Sequence, residues 1–86
     1  MDSKRFSRPI IVTDHARGRM KERGVDDALL LDLIETGTVR NKDDVRLWIA
    51  KHYADRNDNL LCVAVVLEKT LVVKTLMHHF TWNPQP

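Results

Sequence analysis

Apolar positions along the chain follow two different spacings, and the change falls near residue 38. Upstream, "DDALLLDLIETG" sets Leu29, Leu30, Leu33 and Ile34 at i, i+1, i+4 and i+5, one face of a helix. Asp26 and Asp27 suit the positive end of its dipole, and Gly37 marks its end. Before it, "TDHARGRMKERG" places Ala16 and Met20 one turn apart, with Thr13 or Asp14 able to accept a backbone N–H as a cap and Gly24 as a left-handed stop. The spacing predicts a helix over residues 14–23. So short a connection between the helices makes a hairpin or sharp corner in which they share their apolar faces.

Downstream the period becomes two. "VRLWIAKHYA" sets Val45, Leu47 and Ile49 against Arg46, Trp48 and Ala50. "LLCVAVVL", residues 60–67, is short and continuously apolar, as expected of a central strand covered on both faces. "LVVKTLM", residues 71–77, follows after three residues, the length of a hairpin turn, while "DRNDN", residues 55–59, reads as a loop. "IIV", residues 10–12, is a short β-type run, and residues 38–40 allow one more short strand. The predicted class is α+β, with two N-terminal helices packed on a three- to four-stranded antiparallel sheet. Residues 1–9 read as a flexible basic arm ending at Pro9, residues 10–82 as a single domain, and residues 83–86 as an irregular tail stopped by prolines.

Length and composition narrow the class further. A chain of 86 residues supports one core. No apolar run approaches the roughly 18 residues of a membrane span, and "MDSKRFSRP" is not followed by a signal-type apolar stretch, so the expectation is a cytoplasmic protein with no membrane partner. Cys62 is the single cysteine and sits in the apolar strand, where it reads as a small buried residue. The net charge of +2 is unevenly spread: residues 1–24 hold seven basic side chains against three acidic ones, the rest seven against nine. That asymmetry points to a local anion-binding surface, not a general nucleic-acid coat.

Two clusters carry candidate chemistry. His15, Arg19 and Arg23 lie four apart along one stripe of the first helix, beside the Ala16–Met20 seam. Histidine as a residue type can move a proton near neutrality, and arginine can hold a phosphate bidentately. The competing reading is a solvated helix face whose arginines pair with nearby carboxylates such as Glu22. In "KTLMHHFTW", alternation sends Lys74, Leu76, His78, Phe80 and Trp82 to one face and Thr75, Met77, His79 and Thr81 to the other, so only one of His78 and His79 belongs to any one site. Trp82 either stacks on a base, worth roughly 1–3 kcal/mol, or closes the open end of the core. His15, His52, His78 and His79 lack metal-ligand spacing, and neither a nucleophile elbow nor a phosphate-binding glycine loop is present, so no cofactor is expected.

The stretch "TDHARGRMKERGV", with the Leu-rich helix and C-terminal hairpin that follow, resembles the small bacterial domain-of-unknown-function family 4258. Its hallmark is H-A-x-x-R-M/L-x-x-R-G-I/V, met here by His15, Ala16, Arg19, Met20, Arg23, Gly24 and Val25. The resemblance spans residues 10–79, and "VVKTLMHH" is similar to the family's looser last strand. That family is similar in turn to RelE-like and ParE-like toxins and to the barnase, EndoU, colicin and RelE grouping. The resemblance implies a RelE-like fold, a metal-independent ribonuclease acting by 2′-hydroxyl attack, RNA on the ribosome or as tRNA for a partner, and an antitoxin protein. It assigns His15 to proton transfer, Arg19 to charge stabilisation, His79 or Lys74 to completing the reaction, and Arg23, Thr75, His78 and Trp82 to holding substrate. ParE-like relatives do not cleave RNA, so the alternative is a non-catalytic module of the same fold that binds nucleic acid or protein.

Overall fold

A computed structural model describes residues 1–82; the tail expected from residue 83 lies outside the described residues. In chain order the elements are β1 (Asp2–Ser3), β2 (Arg8–Val12), α1 (Asp14–Glu22), α2 (Asp27–Thr36), β3 (Thr38–Asn41), β4 (Arg46–Lys51), β5 (Leu61–Leu67) and β6 (Leu71–Met77). They make an α+β fold of two helices and one six-stranded sheet in the order β1-β2-β6-β5-β4-β3. Three points correct the sequence-based expectation. The sheet has six strands where three or four were expected. The helices follow two strands, and the sheet is mixed, because β2 pairs with β6 in parallel through Ile10–Leu71, Ile11–Val72 and Val12–Val73. The cause is the route of the chain. From β2 it crosses one face through both helices to the far edge at β3, then returns by antiparallel steps until β6 arrives beside β2.

Residues 1–9, expected as an arm without regular structure, instead form β1 and the start of β2, paired through Asp2–Pro9 and Ser3–Arg8. A carboxylate 30 residues away orders them. Glu35 on α2 accepts from the Ser3 hydroxyl at 2.6 Å and from the backbone N–H of Lys4 at 2.5 Å, while the Arg5 guanidinium donates to the carbonyls of Ile34 and Gly37 at the helix end. Those carbonyls have no intrahelical partner, so a cation there satisfies them and complements the dipole. Burial pushes the Glu35 carboxyl up, but the hydrogen bonds from Ser3, Arg5 and Lys4 outweigh it and leave the pKa below 4.5.

Both helices pack on one sheet face. Ala16 and Met20 of α1 and Leu30, Leu33 and Ile34 of α2 meet Leu47, Ile49, Val63, Val65, Leu71, Val73 and Leu76 in one buried cluster. Fully burying a side chain of the Leu, Ile or Val type contributes about 1.5–3 kcal/mol, so this face supplies most of the fold's driving force. The connection between the helices is a Schellman turn. Val25 N–H donates to Met20 C=O at 2.8 Å and Gly24 N–H to Lys21 C=O at 3.3 Å, with Gly24 at φ +64° and the Val25 and Met20 side chains both buried. Asp26 then caps α2 by accepting from Leu29 N–H at 2.8 Å.

The opposite sheet face is only partly covered. Direct cross-strand partners share a face, so Arg40, Trp48, Ala64 and Thr75 form one row across β3, β4, β5 and β6. Thr38, Ala50, Cys62 and Met77 form the adjacent row, in which Ala50 and Cys62 are buried. Phe80 lies 6.2 Å from Trp48, ring centre to ring centre, and its N–H donates to Leu60 C=O, which turns the segment after β6 back toward the sheet. β6 also breaks its own alternation: the register shifts at Ala64/Val65, so Val65 pairs with Val73 while Ala64 pairs with Thr75, and Lys74 is the extra residue of a bulge. Neither helix is long and apolar enough to cross a membrane.

Candidate functional site

α1 starts where β2 stops pairing and takes its place alongside the second half of β6. Thr13 makes that junction: its N–H donates to Val73 C=O at 3.2 Å, its hydroxyl donates to Lys74 C=O at 3.2 Å, and the same oxygen accepts from Ala16 N–H as the helix cap. With the first turn fixed this way, His15 lies over β6, its Nε2 at 3.1 Å from Thr75 Oγ1. The ring stays exposed to solvent, and among the described residues Nδ1 has no hydrogen-bond partner. A histidine pinned through one nitrogen and open at the other has the geometry of a proton-transfer group. Lys74, on the bulge one residue from Thr75, is exposed and lines a groove on the open sheet face.

Arg19 does not reach this pair. Its Nη1 donates to Glu22 Oε2 at 3.1 Å, and this contact first, with Arg23 adding to it, lowers the Glu22 pKa. Arg17 pairs with Asp27 across the helix corner. The stripe is therefore partly the solvated, ion-paired face that spacing alone allowed. Exposed pairs of this kind contribute little to stability.

The C-terminal histidines occupy a different place. With Glu22, Arg23, Asp55, Arg56, Asn57 and Asp58 they line an open cleft at the far end of α1. Asp58 organises it: Arg56 holds its carboxylate through Nε at 2.9 Å and Nη2 at 2.8 Å, and His78 Nδ1 lies 3.5 Å away. The Arg56 guanidinium above all draws the Asp58 pKa down to about 2. Arg56 also donates to Arg23 C=O at 2.7 Å, tying the 55–59 loop to the end of α1. The rings of His78 and His79 lie 4.6 Å apart, and His79 sits at φ +51° with its N–H on Asp58 C=O. Arg23 reaches Glu22 through Nη1, and its Nε is buried with no partner among the described residues. Thus His15, Thr75 and Lys74 come together at one end of α1, and Arg23, His78 and His79 at the other.

Trp82 belongs to neither group. It meets Phe80 edge-on at 4.9 Å, and the Arg40 guanidinium lies 4.6 Å over its ring. Sequence reasoning passed over Arg56 and Asp58, which read as loop polarity, and also Arg40, Lys42 and Arg46, while Trp48 read as core packing and instead lines the open sheet face. The signal for the latter was present: Arg40 and Lys42, then Arg46 and Trp48, are each two apart and so share a strand face. Cys62 is fully buried, and burial pushes its thiol up to about 12, which removes it as a nucleophile. Among the described residues no three His, Cys, Asp or Glu side chains gather as a metal site requires.

No curated protein and no solved structure matches the chain. The family DUF4258, a domain of unknown function, matches residues 12–78, from the last residue of β2 to the first of the paired histidines, and the chain belongs to that family.

Proposed function

We propose that the protein is a toxin-like, metal-independent ribonuclease in which His15 moves the proton. The observation that supports this most is the His15–Thr75 pair beside Lys74. Thr75 fixes the imidazole, and the free Nδ1 takes the proton of a ribose 2′-hydroxyl. The 2′-oxygen attacks the adjacent phosphorus, the P–O5′ bond breaks, and the products carry a 2′,3′-cyclic phosphate and a 5′-hydroxyl. Lys74 stabilises the charge on the phosphoryl oxygens and donates the proton that the 5′-oxygen takes up. Arg19, one turn further along, joins the phosphate only by exchanging its Glu22 partner. The resemblance to RelE-like toxins that the motif around His15 and Arg19 suggests would imply the same chemistry.

The test is cleavage of labelled RNA, free and ribosome-bound, in excess chelator. Wild type should leave cyclic-phosphate ends, and a 2′-deoxy substitution at the cut site should block it. His15→Ala should lower the rate by about 10²–10⁴ with an unchanged circular dichroism spectrum. Expression of wild type, but not of His15→Ala, should arrest growth. RNA left intact by a folded wild type under both conditions overturns the proposal.

One observation favours a second reading, a non-catalytic nucleic-acid- or protein-binding regulatory module. Arg19 is engaged by Glu22, and His78 and His79 line a separate cleft, so the groups expected to share one centre are divided between two. In that case charge reversal at Arg17 or Arg23 weakens binding more than His15→Ala does.

A further inference from the structure

The sheet face opposite the helices carries a groove with an unusual lining. Lys42, Arg46 and Lys74 surround a floor of Trp48, Ala64 and Val66, and among the described residues no carboxylate lines it. Lys42 Nζ lies 5.9 Å from the centre of the Trp48 ring. Arg46 is held from outside the groove by Asp43, through Nε at 2.6 Å and Nη2 at 2.5 Å, which leaves Nη1 uncommitted among the described residues. Ala64 is the small residue of its row, so a trough lies between Trp48 on β4 and Thr75 on β6.

The direction of this trough matters more than its charge. The row Arg40–Trp48–Ala64–Thr75 crosses three inter-strand gaps of about 4.8 Å each, a path of about 14 Å. It ends at Thr75, the residue that holds His15. A half-buried indole, flanking cations and a straight path to the imidazole suit a polyanion with exposed planar rings: the indole offers a stacking surface and the cations meet successive phosphates. A duplex presents its rings only to each other. An acidic protein has charge without regularly spaced rings.

We infer that this face is the binding track for single-stranded RNA, running from Lys42 and Arg46 over Trp48 and Ala64 to Lys74 and His15. The choice of RNA over DNA rests on the ribonuclease reading, since only RNA offers a 2′-hydroxyl to His15. The track itself rests on the groove.

A 12-nucleotide 2′-O-methyl oligonucleotide, which has no free 2′-hydroxyl to attack, separates binding from cleavage. It should quench tryptophan fluorescence and bind with a log–log salt slope of about −2, the value for three phosphate contacts on a single strand. Lys42→Ala, Arg46→Ala and Lys74→Ala together should bring that slope toward zero. Trp48→Leu should weaken binding by about 5- to 160-fold, the range of one stacked base, while Trp48→Phe restores most of it. A folded protein that does not bind the strand in 50 mM salt, a slope unchanged in the triple variant, or a duplex bound as tightly as the single strand overturns the inference. Binding as described with cleavable RNA left intact sinks only the ribonuclease reading. Cleavage that needs His15 but ignores Lys42→Ala with Arg46→Ala sinks only the track.

Discussion

Alanine at Gly37 introduces one methyl group where three atoms already stand. Gly37 links α2 to β3 at φ −72°, which any residue adopts, so conformation is not why glycine is there. A Cβ would lie 2.6 Å from Leu33 O, 2.8 Å from Ile49 Cγ2 and 3.0 Å from Ala50 O. Two of the three are backbone oxygens fixed by hydrogen bonding of helix and sheet, so relief requires moving α2 against β4. Overpacking of this kind costs about 1–3 kcal/mol and reaches the upper end where backbone must shift. Alanine recovers about 0.4–1 kcal/mol by restricting the unfolded chain. The net loss is about 2 kcal/mol, which lowers Tm by about 8–16 °C in a domain of this size. Gly18→Ala is the control: Gly18 lies in the interior of α1 with nothing within 4 Å of an added Cβ, and alanine there should stabilise by about 0.5–1 kcal/mol. Thermal and urea denaturation of both variants measures the contrast. A Gly37→Ala protein melting within 2–3 °C of wild type, by the criterion of that same shift per kcal/mol, would refute the packing argument.

Glu35→Ala should free the N-terminal segment, seen as lost amide protection at Lys4 and Arg5 while the β4–β5 amides stay protected. Because the folded Glu35 pKa lies below its ordinary 4.5, its contribution is complete above that pH and disappears as pH falls through the folded value, so the segment should loosen first in acid. Asp58 follows the same sign with a wider window: its stabilisation is present above 3.8 and lost as pH falls through about 2. That shift corresponds to about 2 kcal/mol at most, and solvent screening in the open cleft reduces it. Asp58→Asn should flatten this part of the stability–pH curve. Cys62 should resist a thiol reagent at pH 8 in the native protein and react at once in denaturant; rapid native labelling would contradict its burial.

Both helices and strands β4 to β6 were legible in the sequence, because each depends on local period and on caps that lie within a few residues. The parallel β2–β6 pair was not, since nothing in "IIV" states which strand will be its neighbour; that depends on where the whole chain returns. The order of residues 1–9 was hidden for the same reason. Their partner is Glu35, which in sequence reads as one more polar position on α2. The bulge at Lys74 shows the limit of period counting: strict alternation would put Lys74 on the core face with Leu76, and one extra residue frees it. Of the candidate site, the spacing within α1 was readable, but which of the stripe's members meets β6 depended on the Thr13 junction.

That junction ties fold to chemistry. A parallel strand that hands over to a helix in mid-partner leaves the second half of β6 with a helix, not a strand, at its edge. The helix supplies side chains to that edge where a strand would supply backbone hydrogen bonds, and the first to arrive is His15. The bulge then releases Lys74 from the core face beside it. The two irregularities of β6, its incomplete partner and its extra residue, thus converge within two residues of each other. Restoring a regular strand should separate them: deleting Lys74 would make Val73 and Thr75 consecutive, leave Thr75 on the open face opposite Ala64, and remove both the bend of the bulge and the Lys74 carbonyl that holds Thr13, so that the His15 ring loses its seat over Thr75. Loss of cleavage in that deletion, with Lys74→Ala keeping a larger share of activity, would assign the effect to geometry and not to the missing charge. Equal activity in the two variants would mean that the bulge serves only the packing of the sheet.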